Sequence, residues 1–364
     1  MNFVASGWCG MDTNLDAVKH PNVTGRYHLR TILAFSLAAL VAGLAVNRRE
    51  EICAVLAAVK FQWAVAGFGC YAVTYLLRAV RLRRLTHGAL RLWPEGIGAV
   101  ISHNALTYLM PMRTGDIALP AILRSACSCT WGEGVKVLMQ ARAFDLNALG
   151  MWVLGAALVL PVSLSPEIRV FWILCGIGFV ALPFIVSMAS HANTLKPQWL
   201  FRYAQYLAVL RGRDIPSRAL SLGIWAMFGG VMYCTARAVG IELAAGDAWF
   251  LATIQLPLQL MPLQGFANTG NHEMGWSAGL LFLGYAPDQA LSFALATHAV
   301  IFSYVMVMLL AGVLISSPWL RGGGARLRSL SENGRAAADT SPGHREQELR
   351  KPSQCATSAL SAGT

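Results

Sequence analysis

The residues best suited to chemistry in this chain sit where its apolar sequence breaks. Met261 to Trp276 carries three glycines, a proline, two asparagines, a histidine and a glutamate, between apolar runs. Polar, helix-breaking sequence at membrane depth is tolerated only where it is buried in protein or lines a wet cavity. His272 and Glu273 are its acid–base candidates. A histidine titrates near physiological pH, and a buried glutamate can carry a proton. Gln264, Asn268 and Asn271 can bind polar oxygens, or satisfy backbone groups freed by glycines such as Gly270. The bland alternative is a wet loop at the outer interface that these side chains only solvate.

A second break runs from Met110 to Pro120 and contains Arg113, Gly115 and Asp116. Ionisable groups inside a membrane are functional candidates by default. At the interface, the same Arg would snorkel and the same Asp would cap a helix. Arg142 and Asp145 are three apart and share a helix face. They form either a local ion pair or a set in which Arg142 points at the same cavity as Arg113. Arg78 and Arg81 also share a face, as cavity residues or as topology and headgroup contacts in a basic loop. Asn104 lies on the half-helix before the first break, with the same ambiguity.

Several chemistries lack their signatures. There is no His-x-x-x-His, His-Glu-x-x-His, nucleophile elbow, phosphate loop or dinucleotide fingerprint. The eight cysteines form no Cys-x-x-Cys, and Cys127-Ser-Cys129 is a weak metal signal. No metal and no cofactor is expected.

These residues must be positioned by membrane helices. Of the 364 residues, 55% are hydrophobic and 13% charged, where soluble domains run near a quarter charged. Mean hydropathy is +0.50. The net charge of +11 does not point to nucleic acid, because the basic residues sit in loops and in the tail, the positive-inside pattern. The sequence predicts an all-α polytopic membrane protein. About six full spans are expected: Thr31–Val46, Phe61–Leu77, Leu146–Val162, Val170–Met188, Leu220–Val239 and Gln289–Ile315. Residues 1–26 read as a polar cytoplasmic arm, 27–316 as the membrane domain, and 317–364 as a disordered cytoplasmic tail. Trp199 to Leu207 has the spacing of an amphipathic surface helix within the basic loop 189–218.

Basic loops at 78–91 and 189–218 place both on the cytoplasmic side with the two termini. The path closes only if 96–139 enters and leaves from inside and 249–287 from outside. Two re-entrant or broken hairpins of opposite orientation result, an arrangement that inverted-repeat transporters place around a midplane site. The repeat itself is a hypothesis.

Four segments together are similar to a known family. Asn104…Pro111-x-Arg113-x-Gly115-Asp116 resembles the Pro-x-Arg-x-Gly-Glu signature of the membrane region of lysylphosphatidylglycerol synthases. Arg142-x-x-Asp145 resembles its Glu-Arg-x-x-Asp segment, and Pro262…Gly265…Gly270-x-x-Glu273 its glycine-rich segment ending in Glu. Arg78-x-x-Arg81 also fits. The chain departs from the pattern at Asp116 for Glu, Leu119 for Arg, Ala141 for Glu, and His298 for an Arg of the last span. The resemblance implies a stand-alone, flippase-like domain of a bacterial inner membrane, without the cytosolic aminoacyl-transferase domain. Its expected partners are membrane lipids with an anionic or phosphate-bearing headgroup, and lipid-biosynthesis enzymes. The residues of the breaks and of the matching segments together give the expected binding set: Arg78, Arg81, Asn104, Arg113, Gly115, Asp116, Arg142, Asp145, Gln264, Asn268, Gly270, Asn271, His272, Glu273 and His298. The function expected first is lipid translocation. The alternatives are a lipid-modifying transferase with His272 or Glu273 as base, and a non-catalytic scaffold of a lipid-synthesis complex.

Overall fold

The computed structural model describes residues 36, 39–159, 163–191, 214–260 and 264–339. The N-terminal arm, most of the first span and the amphipathic segment 199–207 lie outside them. Among the described residues all regular structure is helical. In chain order the helices are α1 (Arg49–Ala57), α2 (Phe61–Leu85), α3 (Ile97–Leu109), α4 (Ala118–Cys127), α5 (Trp131–Val159), α6 (Pro166–His191), α7 (Ile215–Ala238), α8 (Ala245–Leu260), α9 (Asn271–Phe282) and α10 (Pro287–Asp339). Helical backbone also covers 39–47, within the first expected span.

Phe61–Leu85, Ile215–Ala238 and the stretch Pro287–Ile315 of α10 are long and apolar enough to cross a membrane. Their outer faces fit that environment. Val65, Val73 and Leu76 of α2 are exposed, as are Phe302, Met306, Leu310, Val313 and Leu314 of α10, the latter at helical spacing. Apolar stripes of that size on a folded surface call for an apolar surrounding. The inward faces carry Tyr75, Ala79 and Leu82, and Val300, Ile301 and Tyr304.

Local sequence explains the helix ends. Pro111 forces the residue before it out of the helical region, and Met110 is extended at φ −80°, ψ 138°. So α3 stops at Leu109 and a tight 3-10 turn, Pro111–Ile117, leads into α4. At α5 the Glu133 carboxylate accepts from Thr130 N (2.8 Å) while Glu133 N donates to Thr130 Oγ1 (3.3 Å), a reciprocal capping box. At α7 the Asp214 side chain accepts from Ser217 N, so Arg218 belongs to a helix and not to the preceding loop.

The core is a bundle in which α2 packs along α7, and α5 along α6. Small residues let backbones approach, as membrane packing requires. A Cβ on Gly150 of α5 would meet Gly176 O of α6 at 2.8 Å. Both breaks expected from sequence are present as helix–turn–helix units: α3–α4 around Pro111–Ile117, and α8–α9 around Phe266–Asn268. Two readings change. Arg142 and Asp145 do not stand at the start of a helix but lie inside the continuous helix α5. His272 and Glu273 belong to the first turn of α9 and are buried, at 3% and 5% exposure, so the wet-loop alternative does not hold.

The chain divides into two compact units, Met1–Ser316 and Ser317–Thr364. The second is described only as helical backbone up to Asp339, where the sequence reading expects no regular structure.

Gly115 marks where the first break folds back on α3. A Cβ there would lie 2.3 Å from Leu106 C and Thr107 N, both backbone atoms that cannot swing aside. Gly115→Ala should cost about 1–3 kcal/mol or more, as overpacking does. Gly132→Ala, which meets nothing within 4 Å, should be neutral or better. Thermal unfolding of the two variants in the same detergent checks the contrast.

Candidate functional site

The two breaks meet. Gln264 Nε2 donates to Thr107 O (3.0 Å) and Tyr108 O (3.2 Å), carbonyls of the last turn of α3. These carbonyls have no partner further along their own helix, so a side chain from a segment 157 residues away in sequence satisfies them. Beside this seam lies a cavity of about 410 Å³.

Its wall is assembled from segments far apart in the chain. From α2 come Tyr71, Thr74, Tyr75 and Arg78, spaced so that they share one face. From α3 come Asn104, Thr107 and Tyr108, and from the first break Asp116. From α5 come Met139, Arg142, Asp145 and Leu146, and from α7 Trp225, Phe228 and Met232. Gln264, Asn268, His272 and Ile301 close the far side.

Two ion pairs organise this wall. Arg81 clamps Asp145 with both guanidinium ends, Nη1–Oδ1 at 2.5 Å and Nη2–Oδ2 at 3.1 Å, and its Nη1 also reaches Ser221 Oγ at 2.7 Å. Planar bidentate pairing is the strong form of a charge-assisted bond. Arg142 pairs with Asp116, and His103 Nε2 lies 3.5 Å from the same carboxylate. Arg142 and Asp145 therefore do not pair with each other. Arg78 differs: its Nη1 donates to the neutral Asn104 Oδ1 (2.9 Å), and its shielded Nε has no partner among the described residues. A smaller void of about 40 Å³ lies behind it, lined by Arg81, His103 and Asp145 among others.

The second break is held by α10. His298 Nε2 donates to Ala267 O (2.8 Å), while its Nδ1 pairs with Glu273 Oε1. A carbonyl only accepts, so Nε2 must carry a proton, and one further proton lies between Nδ1 and Oε1. Whichever atom holds it, the unit has no net charge. Glu273 Oε2 also accepts from Gly270 N at 2.7 Å, which fixes the start of α9. Gly270 itself sits at φ +84°, where a side chain would be strained. His272 stacks on His298 with centroids 4.7 Å apart. Thr297 Oγ1 donates to Ala294 O (3.0 Å), so it accepts from His272 Nε2 at 3.1 Å.

Of the residues expected from sequence, the cavity wall brings together Arg78, Asn104, Asp116, Arg142, Asp145, Gln264, Asn268 and His272. Arg81, Gly115, Gly270, Glu273 and His298 sit behind the wall and support it. Asn271 is buried and off the wall, its side-chain amide unpartnered among the described residues. The Arg113 side chain lies outside the described residues; its backbone is in the turn Pro111–Ile117. The sequence reading missed the aromatic residues Tyr71, Tyr75, Tyr108, Trp225 and Phe228. The signal was present in the helical spacing of Tyr71, Tyr75 and Arg78.

The family model described as the lysylphosphatidylglycerol synthase TM region matches residues 31–318. The chain belongs to this family. No curated protein and no solved structure matches it. The family and the apolar helices make this a membrane protein with a lipid-related function.

Arg81→Ala should destabilise by about 3–5 kcal/mol, because it strands a buried carboxylate. Arg78→Ala, which removes a cation with no carboxylate of its own, should stay within about 1 kcal/mol. Unfolding midpoints in detergent separate the two. A second test concerns Ala267, whose φ of +52° is in the left-handed region. Ala267→Gly should stabilise by about 1 kcal/mol by relieving that strain, read in the same assay.

Proposed function

We propose that this protein translocates a lipid by passing its headgroup through the cavity where the two broken helices meet, while the acyl chains stay in the bilayer. The observation that carries this reading is the wall itself. Four guanidinium and carboxylate groups, from Arg78, Asp116, Arg142 and Asp145, sit with amides and tyrosines inside a bundle whose outer faces are apolar. Burying such groups is expensive and is retained where polar cargo passes. Arg78 and Arg142 offer charge-assisted hydrogen bonds to a phosphate. Asp116 holds Arg142 in place meanwhile.

On this reading six spans carry two hairpins that enter from opposite sides, and the cavity opens alternately along them. On the same reading both termini lie on the cytoplasmic side of a bacterial inner membrane, a placement that the positive-inside pattern of the basic loops supports. Membrane lipids are the partners on this reading, with lipid-synthesis enzymes as further ones.

Reconstitution into vesicles with headgroup-labelled lipids on one leaflet tests the reading. Wild type should equilibrate the label faster than empty vesicles. Arg142→Gln should slow it by about tenfold or more, the loss that one charge-assisted bond of about 1.5–3 kcal/mol implies. No acceleration by folded wild type across anionic and neutral lipids would sink the proposal. Turnover of a lipid donor by the purified protein would favour the transferase reading.

A further inference from the structure

Cys127 and Cys129 stand apart from the cavity, at the joint between α4 and α5. Cys127 is the last residue of α4. Ser128 follows at φ +56°, in the left-handed region that ends many helices, and turns the chain. Cys129 comes next, just ahead of the Thr130–Glu133 capping box that starts α5. This turn brings the two sulfurs to 3.0 Å. Both side chains pack on the edge of the apolar core that α4 and α5 share, and both are only half-buried, so a small reagent reaches them.

The acceptors fix where the protons lie. Cys127 donates its S–H to Leu123 O at 3.2 Å, so the sulfur–sulfur hydrogen bond is donated by Cys129. Burial, with the Cys127 thiol beside it, pushes the Cys129 thiol up to about 12. Cys129 therefore keeps its proton at neutral pH. The thiolate is the nucleophilic form, and Cys127 is the sulfur left to supply it. A tetrahedral ion does not suit the pair, because a closed site takes four ligands and no cluster of three or more metal-binding side chains forms among the described residues.

We propose that Cys127 and Cys129 are a site of reversible oxidation, a dithiol that a hydroperoxide converts to a disulfide across Ser128. Cys127 sulfur attacks a peroxide oxygen. The S–O bond forms, the O–O bond breaks, and the leaving hydroxide takes the Cys127 proton as water. Cys129 sulfur then attacks the sulfenic sulfur. The S–S bond forms, the S–O bond breaks, and the Cys129 proton leaves with the hydroxyl as water. Two thiols are oxidised, and hydrogen peroxide is reduced to two waters. The bond removes the proton that Cys127 gives to Leu123 O and closes a small ring at the joint. Here α4, returning from the first break, meets α5, which carries Arg142 and Asp145. A disulfide across a single residue is strained, and strained, part-exposed disulfides are the readily reduced ones. Nothing in this depends on what the cavity carries.

The test uses the full chain, reduced, in neutral detergent, treated with a small excess of hydrogen peroxide and alkylated with N-ethylmaleimide under denaturing conditions. Arg124 and Lys136 bracket both cysteines in one tryptic peptide, 125–136. By mass, that peptide should lose two hydrogens and carry no label. Excess reduced glutathione, added before alkylation, should restore both labels. Cys129→Ser should stop at the sulfenic acid, read as a dimedone adduct on Cys127. Cys127→Ser should form little adduct and keep its remaining thiol open to label.

Retention of both labels by peroxide-treated, folded wild type overturns the proposal. So does oxidation of the pair to sulfinic acid without a disulfide, or a disulfide that only links separate chains. A disulfide that glutathione leaves intact overturns the reversibility. Equal dimedone adducts in the two variants overturn the choice of Cys127 as the attacking sulfur.

Discussion

Backbone groups freed by a broken helix must find partners inside the protein, because lipid supplies none. The rest of the site depends on how this chain meets that demand. Pro111 ends α3 and strips its last carbonyls of successors. The Gln264 amide from the other break covers two of them. Gly115 lets the first break press onto the same turn. One helix end is thus closed by the turn that follows it and by one distant segment, and the cavity is the space left beside that closure. In the second break, His298 reaches from α10 to take the Ala267 carbonyl and brace Glu273. Each break is stabilised by a side chain from outside itself.

Charge is arranged in the same manner. Asp145 and Asp116 each have an arginine partner, drawn from a different helix than their own. Desolvating these groups is costly, and pairing recovers much of that cost only with good geometry. The bidentate Arg81–Asp145 clamp has it. The family match over residues 31–318 fits this layout, since the motifs that carry the resemblance supply the wall and its supports.

Much of this was legible from sequence, for physical reasons. The apolar run Ile97 to Leu109 is bounded by a proline, and the observed helix has those bounds. The polar break after Leu260 interrupts apolar sequence, and a turn lies there. What sequence hid were partners. Arg142 and Asp145, three apart on one face, read either as a local pair or as a set with Arg142 aimed at the cavity. Their actual partners are 26 and 64 residues away, and no periodicity encodes that. His272 and Glu273 read either as acid–base candidates or as residues of a wet loop, because nothing in the sequence places them inside a helix. The glycine Gly270 instead starts the helix that buries them. Tyr71, Tyr75 and Tyr108 were overlooked because tyrosine in an apolar run reads as packing. Their value comes from what faces them.

The helix α5 joins these observations into a mechanical statement. It is a single helix from Trp131 to Val159, and one turn of it holds both ion pairs, to α2 through Asp145 and to the first break through Arg142. Those three pieces are therefore bolted together by charge. On the opposite flank the first break touches the second through the neutral amide bonds of Gln264. The charged block is thus a frame fixed by two ion pairs, and the two neutral bonds of Gln264 are the hydrogen bonds that join the second break to it.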